Sequence, residues 1–370
     1  MLKILFLIHD LAQGGAEKVL VNLVNNMDRT KFDITLMALF DGGINRQFLR
    51  NDITYKAVFS KAIRGNSHIM KLFSPMALHR WFIKEHFDIE VSYLEGPCAR
   101  IISGCPDANT KLACWIHIEQ HTRSRAAASF RSVKEAMNCY NRFHRIVCVS
   151  ETVKSDFKSI LPIDCPAEVL YNTNESKKIL DLSKEPLDGV NFRENEINLV
   201  GVGKLLTSKG FERVIKITEQ LLKDGYPVHT YILGIGPEEA NLKRSVKKRK
   251  IENHVDFLGY QTNPYKYVAK CDLFVCASHA EGFSTAATEA LILGVPVCTV
   301  EVSGMKEMLG ENNEYGIVTA NNDGALYEGI KRLISEPGLL EKYRQQAILR
   351  GKTFSMEHTV AAVENMLLSL

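Results

Sequence analysis

Several features that would narrow the function at once are missing from this sequence. Its nine cysteines include no C-x-x-C pair, and some of them, such as Cys148 and Cys276, lie inside apolar runs. This pattern argues against a disulfide framework and a zinc site, and it is typical of reduced thiols that pack in a core. No run of 18 apolar residues occurs, so we expect no membrane-spanning helix. The apolar run near the amino terminus is interrupted by Lys3 and predicts a buried strand, not a secretion signal.

An excess of charge of one sign is missing too. The formal net charge is +3 at pH 7, from 46 basic and 43 acidic residues, so binding to nucleic acid is not indicated. Apolar content of 45% and charged content of 24% are average for a globular protein. A length of 370 residues fits two domains of about 180 residues each.

Short apolar runs alternate with longer amphipathic runs along the chain. The strands predicted from this pattern are 3–8, 33–39, 89–93, 111–115, 145–149, 169–171, 197–202, 229–233, 255–257, 273–276 and 297–299, and helices are predicted between most of them, for example at 16–26, 211–223, 238–248 and 321–334. Alternating strands and helices predict an α/β fold with parallel sheets covered by helices on both faces.

A polar segment at residues 172–195 separates two halves of similar length and pattern. We therefore predict two facing Rossmann-like domains with a cleft between them, residues 1–185 and 186–354. The terminal segment 355–370 has an apolar helical face, and we expect this helix to cross back to the amino-terminal domain.

Two glutamates, Glu281 and Glu289, flank a glycine-containing turn that opens a predicted helix. Within one continuous helix they would lie about 12 Å apart along the axis, so both meet one ligand only if Glu281 is on the preceding loop. A helix amino terminus attracts an anion, and a carboxylate within the helix can accept from both hydroxyls of a vicinal diol. Anion and diol together describe a nucleotide diphosphate and its ribose.

A second loop after a predicted strand carries Gly203, Lys204 and Lys209 before a helix. Two ammonium groups on this loop could neutralise the negative charge of a departing nucleotide diphosphate. Both this loop and the Glu281 loop follow strands of one predicted sheet, where α/β proteins bind ligands. Tyr260 ends another strand of the same half, where backbone amides could read a nucleobase edge.

The first loop of the chain holds Gly14 and Gly15 but lacks the G-x-G-x-x-G spacing, which disfavours a nicotinamide dehydrogenase. Its glycines still permit close backbone approach to a phosphate or a sugar, although a plain strand-to-helix turn explains them equally well. His117 follows the predicted strand 111–115, and it could donate to a sugar hydroxyl or serve a structural purpose.

Two segments of the first half suggest the acceptor side. Residues 121–145 are strongly basic and include Arg123 and Arg125, and residues 69–84 mix aromatic with basic side chains and include Trp81. Such segments could contact anionic lipid headgroups or a lipid diphosphate. An amphipathic core helix beside a solvated basic face explains them at least as well.

Taken together, these motifs resemble the retaining glycosyltransferases of GT-B fold known as family 4. The motifs that carry the resemblance lie at residues 14–17, 203–210, 233–237, 255–259, 281–290, 294–297 and 303–307. Each is weak alone, but their common order along nearly the whole chain is specific.

The resemblance implies roles for individual residues. Lys204 and Lys209 would hold the donor pyrophosphate, Glu289 the ribose, and Glu281 hydroxyls of the transferred sugar. Many relatives carry arginine where Lys204 stands, so the phosphate geometry there departs from the common pattern. The remaining donor-site residues implied are Gly203, Tyr260, Gly282, Phe283, Ser284 and Thr285, with Gly15 and His117 reaching in from the acceptor domain.

The resemblance also implies a reaction. His117, Lys209 and Glu281 would serve retaining transfer of a hexose or N-acetylhexosamine from a nucleotide diphosphate sugar, most commonly a uridine diphosphate sugar. No cofactor or metal is expected, and the sequence contains no D-x-D motif to bind one. The acceptor would be a saccharide, for which a polyprenyl-diphosphate-linked glycan in surface polysaccharide assembly fits. We expect a cytoplasmic enzyme with peripheral contact to the inner face of the membrane.

Three alternatives remain open at this point. One is a GT-B relative with another reaction, such as a nucleotide-sugar epimerase or a phosphorylase. Another is a protein glycosyltransferase. The third is a catalytically silent subunit that binds a partner. It is disfavoured by the presence of the candidate site residues Glu281, Glu289, Lys204, Lys209 and His117.

Overall fold

A computed structural model describes residues 1–12, 14–61, 69–187, 189, 192–193 and 195–370. The chain forms two compact units, one of Met1–Thr173 with Glu357–Leu370 and one of Asn174–Met356. The first unit thus ends at Thr173, whereas the sequence analysis put the boundary after residue 185. Each unit is an α/β body built on one parallel sheet.

The first unit has a seven-stranded sheet in the order β3-β2-β1-β4-β5-β6-β7, with every neighbouring pair parallel. Its strands are β1 (Leu2–Ile8), β2 (Phe32–Phe40), β3 (Thr54–Phe59), β4 (Ile89–Ser92), β5 (Lys111–Ile116), β6 (Arg145–Cys148) and β7 (Ala167–Val169). The inner strands are buried on both faces, which is why they are continuous apolar runs in the sequence.

Helices cover this sheet. They are α1 (Gly15–Asn26), α2 (Pro75–Phe82), α3 (Pro97–Ile102), α4 (Arg123–Ala126), α5 (Val133–Tyr140), α6 (Glu151–Ile160) and α15 (Met356–Leu368), the last belonging to this unit from Glu357 onward. Glu364 of α15 is buried, and its carboxylate accepts hydrogen bonds from the Lys31 ammonium at 2.8 Å and from the Asp28 amide at 2.6 Å. The terminal helix is therefore tied to the start of β2.

The second unit has a six-stranded parallel sheet in the order β10-β9-β8-β11-β12-β13. Its strands are β8 (Ile197–Val202), β9 (Val228–Leu233), β10 (Val255–Gly259), β11 (Leu273–Cys276), β12 (Val297–Val300) and β13 (Ile317–Thr319). Its helices are α7 (Ser176–Leu182), α8 (Phe211–Lys223), α9 (Glu239–Arg249), α10 (Tyr265–Val268), α11 (Thr285–Ile292), α12 (Met305–Leu309), α13 (Asp323–Ser335) and α14 (Leu339–Gly351).

Helix α8 shows how the second core is built. Val214, Ile217 and Leu221 pack with residues of β8, β11 and α13 in one apolar cluster. Ile215, on another side of α8, packs with Ile232 of β9 and with α9 in a second cluster. The helix thus holds its place on the sheet through apolar contacts in two directions.

Helix α7 lies inside the polar segment 172–195, where the sequence analysis placed the break between the two halves and predicted no helix. This helix packs against α10 and α11 of the second unit. The Asn263 amide donates to the Leu182 carbonyl at 2.9 Å, and the Lys266 ammonium donates to the Pro186 carbonyl at 3.0 Å. Parts of this segment, at 188, 190–191 and 194, lie outside the described residues.

Two strands were not predicted. The edge strand β3 is only partly buried, and β13 has three residues, so neither forms a long apolar run. Strand β7 was predicted at 169–171 and lies at Ala167–Val169. Within the described part of the chain, none of the helices combines the length and apolar character that crossing a membrane requires.

Candidate active site

The two sheets share one topological feature, a point at which the strand order reverses. In the second unit the chain proceeds from β8 to β9 on one side and later returns to β11 on the other side of β8. The loops that follow β8 and β11 therefore leave the sheet side by side and in opposite directions. In open α/β sheets ligands bind at such a point, outside the carboxyl ends of the strands.

The loop after β8 lies close against the backbone of neighbouring strand ends. Gly210, before α8, is left-handed with φ of 66°, and a Cβ there would lie 2.0 Å from the Ala277 carbonyl oxygen. At Gly234, after β9, a Cβ would lie 1.9 Å from the Gly203 carbonyl oxygen. Only glycine fits these two positions, so the glycines allow the loop to lie across the strand ends.

Lys209, on this loop, meets the loop that follows β11. Its ammonium lies 2.6 Å from Oε1 of Glu281, and the Ser278 hydroxyl donates to the same oxygen at 2.6 Å. The Lys209 side chain is 30% exposed and that of Glu281 is 10% exposed. Sequence reasoning missed Ser278, although its place directly after a buried strand was a usable signal.

Glu281 lies on the loop and Glu289 lies on helix α11, as shared binding of one ligand requires. Ser284 caps α11 by accepting from the Ala287 amide at 3.3 Å. The first N–H groups of a helix have no acceptor within it, so the amides at the start of α11 form the positive end of its dipole. Gly282 and Phe283 lie immediately before this cap.

Glu289 lies one turn inside α11 and is 7% exposed. Its Oε1 accepts from the Tyr265 hydroxyl at 3.2 Å. Tyr265 was not predicted, because its contact with Glu289 joins distant parts of the sequence. A buried carboxylate with a hydrogen-bonding neighbour can hold a fixed orientation toward a diol.

The remaining predicted donor residues lie on the same edge of this sheet. Lys204 follows β8 and is exposed, and among the residues that the structure describes its ammonium has no carboxylate within 4.0 Å. Tyr260 follows β10, where the Gly259 carbonyl accepts from the Gly234 amide at 2.7 Å. Thr285 is the first residue of α11.

In the first unit the strand order reverses between β1 and β4. Gly15, predicted to approach the donor, is exposed and is the first residue of α1. The Glu17 carboxylate folds back over the preceding turn, since a Cβ on Gly14 would lie 2.0 Å from its Oε2. A negative group is thus already present at the amino terminus of α1. Gln13 of the predicted first loop lies outside the described residues.

His117 follows β5 and is buried beside Tyr93, with ring centroids 5.0 Å apart. Burial lowers the pKa of His117 to about 4, so the ring is neutral near pH 7. Its Nε2 is buried and makes no hydrogen bond within the described part of the chain. A neutral imidazole with an unpaired nitrogen can bind a hydroxyl group but carries no charge for a phosphate.

Glu95 follows β4 at the reversal point and was missed by the sequence analysis. Its Oε2 accepts from the His117 amide at 3.0 Å, and burial raises its pKa. The signal was available, because Glu95 comes directly after a predicted strand, as His117 does. The two residues form a partly buried polar group in the first unit.

The predicted acceptor and membrane residues lie elsewhere on the first unit. Arg123 and Arg125 are exposed on α4, and the Arg123 Nε donates to the Ile160 carbonyl at 3.0 Å. Trp81 of α2 is 49% exposed, with its ring centroid 4.7 Å from that of Phe73.

Three groups of described His, Cys and carboxylate side chains are close enough to share a metal ion. They are His79, Glu90 and Cys105; Glu196, His229 and His254; and Glu119, His121 and Asp156. None of these described groups contains a residue that was predicted to bind the donor. The absence of metal from the transfer reaction stays a prediction.

Both halves of the chain match known families. Residues 13–173 match the family described as Glycosyltransferase Family 4, and residues 184–350 match the family described as glycosyl transferases group 1.

Individual relatives are glycosyltransferases, several of them in polysaccharide or lipopolysaccharide biosynthesis. The chain is 32% identical over 198 residues to N-acetylgalactosamine-N,N'-diacetylbacillosaminyl-diphospho-undecaprenol 4-alpha-N-acetylgalactosaminyltransferase of Campylobacter jejuni, covering 53% of this chain and about half (51%) of that protein. It is 22% identical over 338 residues to the lipopolysaccharide core biosynthesis glycosyltransferase LpsD of Rhizobium meliloti, covering 90% of this chain and 89% of that protein.

Solved structures share the fold over the whole chain. HepE of Anabaena in complex with UDP and glucose has a TM-score of 0.78 at 19% identity, with full coverage of both chains. An E. coli structure described as trehalose-6-phosphate bound with UDP-2-fluoro glucose has a TM-score of 0.79 at 10% identity, covering 100% of this chain and 99% of that one. Two Rossmann-like units, the order of the loop motifs and both family matches lead to one conclusion: the chain belongs to the family 4 (group 1) glycosyltransferases of GT-B fold.

Proposed function

We propose that this transferase moves a hexose or N-acetylhexosamine from a uridine diphosphate sugar to a saccharide acceptor, with retention of the anomeric configuration and without a metal. The observation that carries the proposal is the contact between Lys209 and Glu281 beside the amino terminus of α11. A cation, a carboxylate and a helix dipole at one reversal point suit a negatively charged sugar nucleotide.

Each donor group has a counterpart in this arrangement. The pyrophosphate accepts from the ammonium groups of Lys204 and Lys209 and from the amides at the start of α11. The buried Glu289 carboxylate accepts from the ribose diol. Glu281 uses Oε1 for Lys209 and Ser278, and its Oε2 has no protein donor among the described residues, so it is available to hydroxyls of the transferred sugar.

The choice of uridine diphosphate rests on relatives. HepE of Anabaena was solved with UDP, with UDP and glucose, and with UDP-glucose. TarM of S. aureus was solved with UDP in a complex that also contains alpha-GlcNAc-glycerol. The fold likeness alone does not transfer a donor to this chain, so the donor is part of the proposal.

The proposed chemistry needs no protein nucleophile. The bond between the anomeric carbon of the donor sugar and the diphosphate breaks, and the acceptor oxygen bonds to the same face of that carbon. An oxygen of the leaving phosphate takes the proton from the acceptor hydroxyl. Lys209 stabilises the negative charge that builds up on the diphosphate in the transition state. Catalysis then depends on positioning and on fixed charge.

The acceptor belongs to the first unit in this proposal. Gly15, His117 and Glu95 offer exposed backbone, a neutral imidazole and a carboxyl group, all of which suit sugar hydroxyls. A polyprenyl-diphosphate-linked saccharide is proposed as acceptor, because the Campylobacter relative is named for a diphospho-undecaprenol substrate. Arg123 and Arg125 would then face a lipid diphosphate or anionic headgroups.

A surface turn before α2 supports contact with a membrane. Its Leu72 side chain is 74% exposed, and Trp81 of the following helix α2 is 49% exposed. The buried Arg100 side chain fixes this turn, because its guanidinium donates to the carbonyls of Met70 at 2.8 Å and Phe73 at 2.7 Å. Apolar side chains displayed on a fixed turn can insert at the headgroup boundary.

The donor assignment is tested by calorimetry on the full chain in EDTA, with a panel of uridine, guanosine and adenosine diphosphate sugars. One diphosphate sugar is expected to bind, and Glu289→Ala is expected to weaken it about 10- to 100-fold, the range for lost hydrogen bonds to a charged group. Glu328→Ala, at an exposed position of α13, is the matched control and should bind as the wild type does. Binding by no nucleotide, or equal binding in Glu289→Ala, contradicts the assignment.

The membrane contact is tested by sedimentation with vesicles that contain phosphatidylglycerol or only phosphatidylcholine. The wild type is expected to sediment with the anionic vesicles, and Leu72→Ser with Trp81→Ser is expected to reduce the bound fraction. Leu349→Ser is the control, because Leu349 is 53% exposed but lies in the second unit. Equal loss in the control, or no binding by the wild type, argues for a soluble acceptor.

A further inference from the structure

Three side chains meet at the edge of the second sheet that lies opposite the donor loops. Glu196 directly precedes β8, His229 is the second residue of β9, and His254 ends a short 3-10 turn (Glu252–His254) before β10. Strands β8, β9 and β10 are adjacent and parallel, so their amino ends lie side by side. Residues far apart in the sequence are thereby brought together.

The atoms that face one another in this group have no hydrogen-bond partners among the residues that the structure describes. His229 Nδ1 and His254 Nδ1 each lie 3.6 Å from Glu196 Oε2, too far for a hydrogen bond. All three atoms are buried and unpaired within the described part of the chain. His229 is 1% exposed, so water does not reach its ring freely. Leaving three polar atoms in this state is costly unless something binds between them.

Asp256 fixes the chemistry of His229. The His229 Nε2 lies 3.0 Å from Oδ2 of Asp256 on β10. When Nε2–H donates to this carboxylate, Nδ1 carries a lone pair that points toward Glu196. Histidines that bind metals commonly donate their other ring nitrogen to a carboxylate in this way.

The separations fit a divalent transition metal. With bonds of about 2.0–2.1 Å to nitrogen or oxygen, two ligand atoms of a tetrahedral zinc ion are about 3.4 Å apart. The two histidine–glutamate separations of 3.6 Å are close to this value, and all three ligand atoms lie within 4.8 Å of one another, so a modest closure of the site would suffice. Glu196 and Asp256 supply two negative charges, and Arg193 supplies one positive charge among the neighbours that influence His229. Imidazole and carboxylate ligands favour zinc over calcium or magnesium.

The other two groups of metal-ligand side chains fit an ion less well. The His79 imidazole already bonds Glu90 at 2.8 Å, and the Asp156 carboxylate accepts from the backbone amides of Gln120 and His121. Their ligand atoms are engaged by the protein, whereas those of the Glu196 group are not. Access is also available, since the side chains of Glu196 and His254 are 24% and 36% exposed.

We propose that Glu196, His229 and His254 bind one zinc ion, with Asp256 as the residue that orients His229. The ion joins the amino ends of β8, β9 and β10 and so stabilises the second unit. It takes no part in transfer, because a six-residue strand places the donor loops about 20 Å away at the carboxyl ends. The proposal is independent of the donor and the acceptor, and it departs from the expectation that the chain holds no metal.

The test uses the full chain stripped with EDTA and then titrated with zinc against a chromophoric chelator. One zinc ion per chain is expected for the wild type. Glu196→Gln and His254→Gln are expected to lower the affinity at least about 100-fold, and Asp256→Asn about 10- to 100-fold, as for other residues that orient a ligand. His279→Gln is the matched control, since His279 is an exposed histidine of the same unit that pairs with Glu212 at 3.1 Å.

A second readout is the melting temperature, which zinc should raise in the wild type and in His279→Gln but not in Glu196→Gln. His254→Gln guards against misfolding, because its partly exposed side chain can be replaced without opening the core. Stoichiometric zinc that persists in both ligand variants would place the ion elsewhere and overturn the proposal. No zinc binding by the folded wild type at 100-fold excess would overturn it as well, leaving a loose histidine–glutamate contact.

Discussion

The reversal points of the two sheets have the same topology and opposite chemistry. In the second unit the loops after β8 and β11 bring together Lys209, Glu281 and the amino terminus of α11. In the first unit Glu17 of α1 folds over the turn that follows β1, and Glu95, after β4, lies near His117. One point offers ammonium groups and helix amides to a ligand, and the other offers carboxyl groups and a neutral imidazole.

The difference separates what topology decides from what side chains decide. Topology sets where a ligand can bind, because both points lie outside the carboxyl ends of parallel strands. Side chains set the class of ligand. Lysines and the amides at the amino terminus of α11 suit a diphosphate, whereas the neutral His117 and the carboxyl of Glu95 suit hydroxyl groups.

The largest expected effect comes from removing the Lys209 charge at the reversal point of the second unit. Lys209→Ala should lower kcat about 10²- to 10³-fold, the range for loss of one group that stabilises transition-state charge. The effect on KM for the donor should be smaller, because the charge on the diphosphate grows as the bond breaks. Steady-state kinetics with the donor found by calorimetry measures both constants.

Lys216→Ala is the matched control for Lys209→Ala. Lys216 lies on α8 of the same unit, its side chain is 47% exposed, and it pairs with Asp323 at 3.2 Å. Its removal should leave kcat within about twofold, because exposed ion pairs contribute little. Equal losses in both variants would show that the lysines act through folding and would remove the contrast between the two points.

The architecture was largely predictable from the sequence, because buried parallel strands form continuous apolar runs. The β11 strand and the helix that begins at Thr285 are examples in which local pattern and structure agree. Helix α7 was not predicted, since its stability comes from packing on α10 and α11 and not from a strong apolar period of its own. Edge strand β3 was not predicted either, because it is only partly buried and so does not form a continuous apolar run.

Site residues divide in the same way. Lys209 and Glu281 stand in loops after strands and could be chosen by position. Glu95 also follows a strand, but it lies in none of the motifs on which the resemblance depends, so it was not predicted. The contact of Tyr265 with Glu289 and the meeting of His229 with Glu196 join distant segments, so only the folded chain places them together.

The second prediction concerns the neutral point in the first unit. The folded state disfavours protonated His117, whose pKa is lowered to about 4, so the unfolded chain binds that proton first as the pH falls from about 6.5. The stability that the neutral His117 contributes to the folded state is therefore fully present above pH 6.5, and it is lost progressively as the pH falls to about 4. In His117→Phe the free energy of unfolding should fall less with acid than in the wild type, by up to about 3 kcal/mol at pH 4.

Urea unfolding followed by tryptophan fluorescence tests this selectively, because Trp81 and Trp115 both lie in the first unit. Glu95 acts in the opposite direction, since its pKa is raised, so the difference between variants is informative and the absolute slope is not. His86→Gln, at a side chain that is 59% exposed, serves as control and should keep the acid loss of the wild type. An unchanged acid loss in His117→Phe would mean that His117 is accessible to protons when folded.

The smallest expected effects come from replacing one glycine at the reversal point of each unit, Gly210 in the second and Gly14 in the first. Gly210→Ala combines left-handed backbone with overlap on the Ala277 carbonyl, and it should cost about 1–3 kcal/mol and displace Lys209. Gly14→Ala should cost less, because Gly14 has extended backbone with φ of −153° and a methyl there meets only the flexible end of Glu17. Gly225→Ala, at φ of 86° with nothing within 4 Å, isolates the backbone strain from the overlap.

Scanning calorimetry and donor titration together decide this comparison. Gly210→Ala should lower both the melting temperature and the donor affinity, whereas Gly225→Ala should lower only the melting temperature. Gly14→Ala should change neither by much, because the Glu17 side chain can move aside. If Gly14→Ala weakens donor binding as strongly as Gly210→Ala does, the first loop also holds the diphosphate, and the division into an anion point and a hydroxyl point is wrong.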